Sequence, residues 1–202
     1  MPVKLIIMKK IFITGIGLLM MGAAIAQTQK GNVLVGADLT NIGLNFQKGN
    51  TQFSLNINPK AGWFVKDNLA VGGEVNLGLN TQKGATSFAY GVGVFGRKYY
   101  GAETTNLART AKWFLEANAG IYGVNLTGTG LPSTSTNGFG LGIGPGYSYF
   151  ISQNIALEAL AKYNLTAGFG NSPTNNSIKL GLGFQIYLPG NRVKQLVEKP
   201  LK

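Results

Sequence analysis

Residues 69–79 read LAVGGEVNLGL, and this stretch decides the fold because it carries a two-residue period with two unlike faces. Leu69, Val71, Val75, Leu77 and Leu79 fall on one side of a strand; Ala70, Gly72, Glu74, Asn76 and Gly78 fall on the other. Successive side chains of a strand point to opposite faces, so the pattern separates an aliphatic surface from one of small residues, an amide and a carboxylate.

The same alternation recurs along the chain. Val33, Val35, Ala37 and Leu39 oppose Asp38, after which Ile42, Leu44 and Phe46 continue on the other parity, so a bulge or strand end is expected near Asn41. Strands are expected over 53–65, 69–79, 88–100, 113–124, 138–151, 155–165 and 178–188. Within 53–65, Pro59 lacks the N–H that a ladder uses and predicts a bulge or local edge. Lys66-Asp67-Asn68 and Ser152-Gln153-Asn154 read as tight turns, and 47–52, 80–87, 126–137 and 166–177 read as loops rich in Gly, Asn, Ser and Thr. Gly101 to Lys112 is a long mixed-charge connection.

Eight strands of about ten residues suit a tilted strand crossing a bilayer, and the assignment of faces follows from composition. Charged residues make up only 12% of the 202, against about a quarter in ordinary soluble domains, and Gly reaches 30. A soluble barrel would turn its polar face to water, yet here that face is mostly Gly with one or two charges per strand. Turned inward it fits, because eight strands enclose an interior just wide enough to be filled by side chains. The chain is therefore expected to be an all-β, eight-stranded antiparallel up-and-down transmembrane β-barrel.

Asp38, Glu74, Glu116 and Glu158 lie on the inward parity together with Lys60, Arg97, Lys162 and Lys179. Four acids with four bases make a neutral lumen, which burial demands, and they are expected to form a structural network of charges. A catalytic pair or an ion path is the weaker alternative. The chain has no His and no Cys, which removes the commonest general base, the commonest metal ligand and any disulfide. No catalytic residue, metal or cofactor is assigned.

Aromatics sort to the strand ends. Trp63, Tyr100, Trp113, Tyr147 and Tyr149 lie toward one end of the barrel, and Phe53, Phe88, Tyr90, Phe139 and Tyr163 toward the other, as membrane-interface girdles do. With the N-terminus on the periplasmic side, the two tight turns are periplasmic and the four polar loops extracellular.

Ahead of the strands, Met8-Lys9-Lys10 leads into the apolar run Ile11 to Ala26, which ends in Ala24-Ile25-Ala26 before Gln27. That is the form of a secretory signal peptide, with Met8 fitting as its start. The expected organisation is a signal peptide over 1–26, a barrel over 27–188 and a basic tail over 189–202. Net charge is +11, but the cations are scattered and the chain is exported, so nucleic acid is not expected as a partner.

Lys30-Gly31-Asn32, NPKAGWFVKDNLAVGG at 58–73, GVFGRKYY at 93–100 and GFGLGIGPGYSYFISQNIALEA at 138–159 together resemble the small outer-membrane β-barrel proteins of Bacteroidota, the outer membrane beta-barrel or porin-family domain. The resemblance implies an eight-stranded barrel in the cell outer membrane and no catalytic residue. One departure is the tail after Tyr187-Leu188, because such barrels usually finish on an aromatic at the end of the last strand. The expected partners are outer-membrane lipids and the outer-membrane assembly machinery, with the chain a monomer. A structural or interaction role through the extracellular loops, for a ligand the sequence does not specify, stands first. A narrow porin is the alternative; an outer-membrane lipid enzyme and a soluble secreted binder rank below it.

Overall fold

The computed structural model describes residues 27–47, 50–101 and 111–190. The readings of 1–26 as a signal peptide, of most of the 101–112 connection and of most of the tail lie outside the described residues. Eight strands follow in chain order: β1 Val33–Gln47, β2 Asn50–Lys66, β3 Leu69–Gln82, β4 Ala85–Tyr100, β5 Ala111–Gly128, β6 Leu131–Phe150, β7 Ile155–Gly168 and β8 Asn175–Leu188. Each pairs antiparallel with the next, and β8 returns to β1 to close a barrel.

The alternation in sequence becomes an alternation in burial. From Gly138 to Phe150 every second residue is buried and every residue between is exposed. Val75, Leu77 and Leu79 of β3 point outward, whereas Glu74 and Asn76 are buried. The exterior is accordingly a belt of exposed Val, Leu, Ile and aromatic side chains, and seven of the fourteen charged side chains among the described residues are buried. Among the described residues no helix is long and apolar enough to cross a membrane. Tyr90 and Tyr100 stand ten residues apart on β4. At ~3.3 Å per residue and a tilt of ~40°, this sets the two aromatic levels about 25 Å apart, the height of an outer-membrane apolar band.

The ladders are interrupted where the sequence marks them, by a bulge at Asn41 and by missing pairs at the proline. β1 shifts against β2 between Leu39 and Asn41. Pro59 pairs with Ala37 on the β1 side, but the β2–β3 ladder skips from Ile57 to Lys60 with no change of register, so the proline makes a local unpaired edge and not a bulge. Pro145 does the same on β6, where the ladder to β7 skips from Ile143 to Gly146.

The four polar segments are not the loops expected. β3 and β4 close through Lys83-Gly84, and β5 and β6 through Thr129-Gly130. Positions 80–87 and 126–137 are therefore mostly strand. Gln47 and Asn50 pair as the ends of β1 and β2, so 47–52 is strand as well, apart from 48 and 49, which lie outside the described residues. Only 169–174 remains a loop of any length. The reason is physical: above the bilayer both faces of a strand meet water, so the apolar–polar alternation disappears while the backbone ladder continues. Residues 124–127 and 132–135 are exposed on both parities and form such a wall.

Gly84 and Gly130 carry φ of +80° and +78° with nothing within 4 Å of where a Cβ would stand. The left-handed region costs an L-residue ~1 kcal/mol, so Gly130→Ala is expected to lower stability by about that amount from backbone strain alone. Thermal unfolding in detergent measures it.

At the opposite end the chain before β1 folds across the barrel mouth. Gln27 and Thr28 are buried, and Asn68 N–H donates to the Thr28 carbonyl at 2.7 Å. Thr28 Oγ1 donates to Asn68 Oδ1 at 2.6 Å, and Lys112 Nζ donates to Thr28 Oγ1 at 2.7 Å. Asn68 holds φ of 60° in the β2–β3 turn, a conformation that Asn tolerates better than most residues.

Candidate functional site

Register brings the inward residues of all strands to common levels. Lys60 pairs with Glu74, Arg97 with Glu116, and Lys162 with Lys179. Side chains then reach across the lumen. Glu116 is the centre: its carboxylate meets Lys60 and Lys162 at 3.0 Å each and Arg97 at 2.7 Å. Arg97 carries the network on to Glu158 at 2.7 Å, and Lys60 carries it to Asp38 at 2.7 Å. Glu74 stands at the edge, 3.9 Å from Lys60 and 3.8 Å from Lys162. Seven of the eight inward charges named from sequence are thus joined, and all seven are buried. Lys179 is different: it is half-buried and makes no ion pair within 4 Å among the described residues.

Beneath the charges lies a layer of rings. Phe64, Phe95, Tyr99, Phe114, Phe150 and Tyr187 are buried in one cluster with Leu34 and Leu160. Phe114 lies under the Arg97 guanidinium, 4.0 Å from carbon to ring centroid. Tyrosines join the two layers: Arg97 Nη1 donates to Tyr99 Oη at 3.0 Å, and Tyr187 Oη donates to Glu158 at 2.8 Å. Because the single Tyr187 proton is used on Glu158, the 2.8 Å contact between the two phenols is donated by Tyr99. Arg97, Tyr99, Tyr187 and Glu158 therefore close a ring of hydrogen bonds, in which neighbours polarise one another. Ser148 adds a bond to Glu158 at 2.6 Å.

Glycines make room for these groups. A Cβ on Gly146 would run into the Phe114 ring, and one on Gly140 or Gly91 into the Tyr122 ring. On β6, Gly140, Gly142 and Gly146 leave room for side chains of neighbouring strands, whereas a Cβ on Gly138 or Gly144 would meet the backbone of β7.

Of the interior rings, Tyr187 shares the inward parity of Lys179 and Gln185 in the sequence, but the others are hidden there. Phe64 sits between Trp63 and Val65, and Phe114 between Trp113 and Leu115, so each is hidden in an apolar run. Strict parity would have found them, since Phe64 shares its face with Lys60, and Phe114 with Glu116.

The outward aromatics hold the two ends. Trp63, Tyr100, Trp113, Tyr147 and Tyr149 are exposed near the capped end, with the Trp113 and Tyr147 rings 4.8 Å apart. Phe88, Phe139 and Tyr163 are exposed toward the other, while Phe53 and Tyr90 are half-buried. Tyr90 Oη donates to Asn137 at 2.6 Å and Tyr163 Oη to Asn176 at 2.9 Å, so both phenols find a polar partner at their tips.

Above the charge network the lumen opens into a vestibule of about 250 Å3 lined by Asn56, Asn76, Asn118, Tyr122, Asn164 and Lys179, among others. It is polar and mostly uncharged.

No protein-family model matches the chain, and no curated protein matches it in sequence. Solved structures do match. Neisserial surface protein A aligns with a TM-score of 0.55 at 16% identity, over 79% of this chain and 97% of that one. The fold is that of an outer-membrane β-barrel. The N-terminal β-barrel domain of Pseudomonas aeruginosa OprF aligns with a TM-score of 0.45 at 14% identity, over 79% and 98% of the two chains. Ail, the attachment invasion locus protein of Yersinia pestis, aligns at 0.44 and 14%, over 78% and 100%.

Proposed function

We propose that this chain is an integral barrel of the cell outer membrane whose lumen is a filling, not a path, and which acts as a structural or interaction protein through its outer rim. The observation that carries this reading is the stack of closures along the axis. Gln27 and Thr28 cover one mouth, the buried rings lie above them, and the Glu116-centred network lies above those. A solute entering the vestibule meets buried, mutually paired charges. Displacing them would cost several kcal/mol per unpaired ion.

The outward belt of aliphatic side chains supports a lipid surround, and the outer-membrane assembly machinery is the proposed route of insertion. The resemblance to the small Bacteroidota barrels points the same way. We read the chain as a monomer and as non-enzymatic: its inward carboxylates are held by cations or amides, and it contains no His. Nucleic acid has no place in this reading. An extracellular ligand would meet the β5–β6 wall and the 169–174 loop, where four polar loops were expected.

Planar-bilayer recording with the full mature chain tests this. The expected trace has no discrete steps. A stable single-channel conductance would overturn the filled lumen in favour of a narrow porin.

A further inference from the structure

One seam of the barrel is shorter than the rest. β1 and β8 pair through seven positions, Val33–Leu39 with Leu182–Leu188, whereas the other seams carry eleven or more. Beyond the bulge at Leu39, residues 40–47 of β1 and 175–181 of β8 face each other unpaired. Ile178 is level with Tyr163, a member of the outer aromatic group. The gap therefore begins inside the apolar band, about 10 Å below that level at ~3.3 Å per residue and a tilt of ~40°. Exposed strand edges in hydrocarbon cost several kcal/mol per unsatisfied group, so this stretch needs a polar occupant.

A channel leads to it from outside. The outer surface holds an apolar groove of about 960 Å3 running from Trp113 and Tyr147 over the small residues Ala159 and Ala161 to Leu180 and Leu182. Thr40, Leu160 and Gly181 line this groove and also a small lumenal cavity bordered by Lys179 and Lys162 and by the network acids Asp38 and Glu74, of which Asp38 is paired with Lys60. The gap thus separates a groove of acyl-chain character from an ammonium that has no ion-pair partner within 4 Å among the described residues.

Resting on the membrane-barrel reading, we propose that this seam binds a long-chain fatty acid from the bilayer, with the chain in the Trp113–Leu182 groove and the carboxylate drawn through the gap onto Lys179. One groove floored by Ala and Gly accepts one chain, and one unpaired ammonium complements one negative charge. A carboxylate also brings two acceptors for the free N–H groups of the strand edges.

The chain has two tryptophans, which supplies the test. Trp63→Phe leaves Trp113, which lines the groove, and Trp113→Phe leaves Trp63 as the lipid-facing control. Both are placed in lipid nanodiscs and titrated with 9,10-dibromostearate, a short-range quencher. The expected result is a saturable component at Trp113 that Trp63 lacks, absent with the dibromostearate methyl ester. Lys179→Gln should raise the half-quenching concentration at least fivefold while Lys179→Arg leaves it close to the parent, and Gly181→Phe, filling the passage, should remove the saturable component. Equal, unsaturating quenching of both tryptophans would overturn the fatty-acid site while leaving the membrane barrel intact, as would identical curves for acid and ester or an unchanged curve in Lys179→Gln. Absence of quenching at either tryptophan would overturn the membrane-barrel reading along with it.

Discussion

Glu116→Leu is expected to cost about 3–5 kcal/mol of barrel stability, because removing one partner of a buried ion network leaves the others uncompensated. Glu116 is fully buried and, among the described residues, is the only acid in contact with three cations, Lys60, Arg97 and Lys162. Without it, Arg97 keeps Glu158 and Lys60 keeps Asp38, but Lys162 is left with only the 3.8 Å contact to Glu74. Glu74→Leu should cost less, since its ion pairs are the two longest and its Oε2 accepts no hydrogen bond. Urea unfolding in detergent, followed by tryptophan emission and heat-modifiable gel migration, ranks the two. Equal losses would place the centre of the network elsewhere.

Gly146→Leu is expected to be about as damaging, for a steric reason. The Phe114 ring occupies the space where the new Cβ would stand, and Phe114 is itself fixed between Tyr99 and Arg97. Overpacking a filled core costs ~1–3 kcal/mol and occasionally more, and here the ring has no empty lumen to move into. The rescue is specific: Gly146→Leu with Phe114→Ala restores volume and should recover most of the loss. Phe114→Ala alone should cost ~3 kcal/mol or more by opening a cavity under Arg97. A double variant no better than Gly146→Leu would show that the Gly row serves the backbone and not the packing of rings.

The barrel was legible because its cause is local. A two-residue period is imposed by the pleat, and LAVGGEVNLGL displays both faces at once; the bulge at Asn41 showed as a change of parity in the same way. The charge set was legible for the same reason, since each member lies on a parity already assigned. Who pairs with whom was not. Lys60 reaches Glu116 from three strands away, and such contacts across a barrel depend on shear and tilt, which no spacing in sequence records. The hairpin tips misled because polar residues on both faces of a protruding strand look like a loop. The short β1–β8 seam joins residues from opposite ends of the chain, and only the closed barrel reveals it.

Val75, Leu77 and Leu79 face the lipid side of β3, while Glu74, Asn76 and Gly78 face the interior. The chain contains no Cys, so a single nitroxide can be placed in turn at each position from 74 to 79, and its collision rates with oxygen and with an aqueous nickel chelate measured in lipid bilayers. Oxygen accessibility is expected to vary with a period of two, highest at 75, 77 and 79, with nickel accessibility low at those same positions. Nickel accessibility at 75, 77 and 79 as high as at an exposed hairpin residue, or a pattern with its oxygen maxima at 74, 76 and 78, would contradict this orientation of β3.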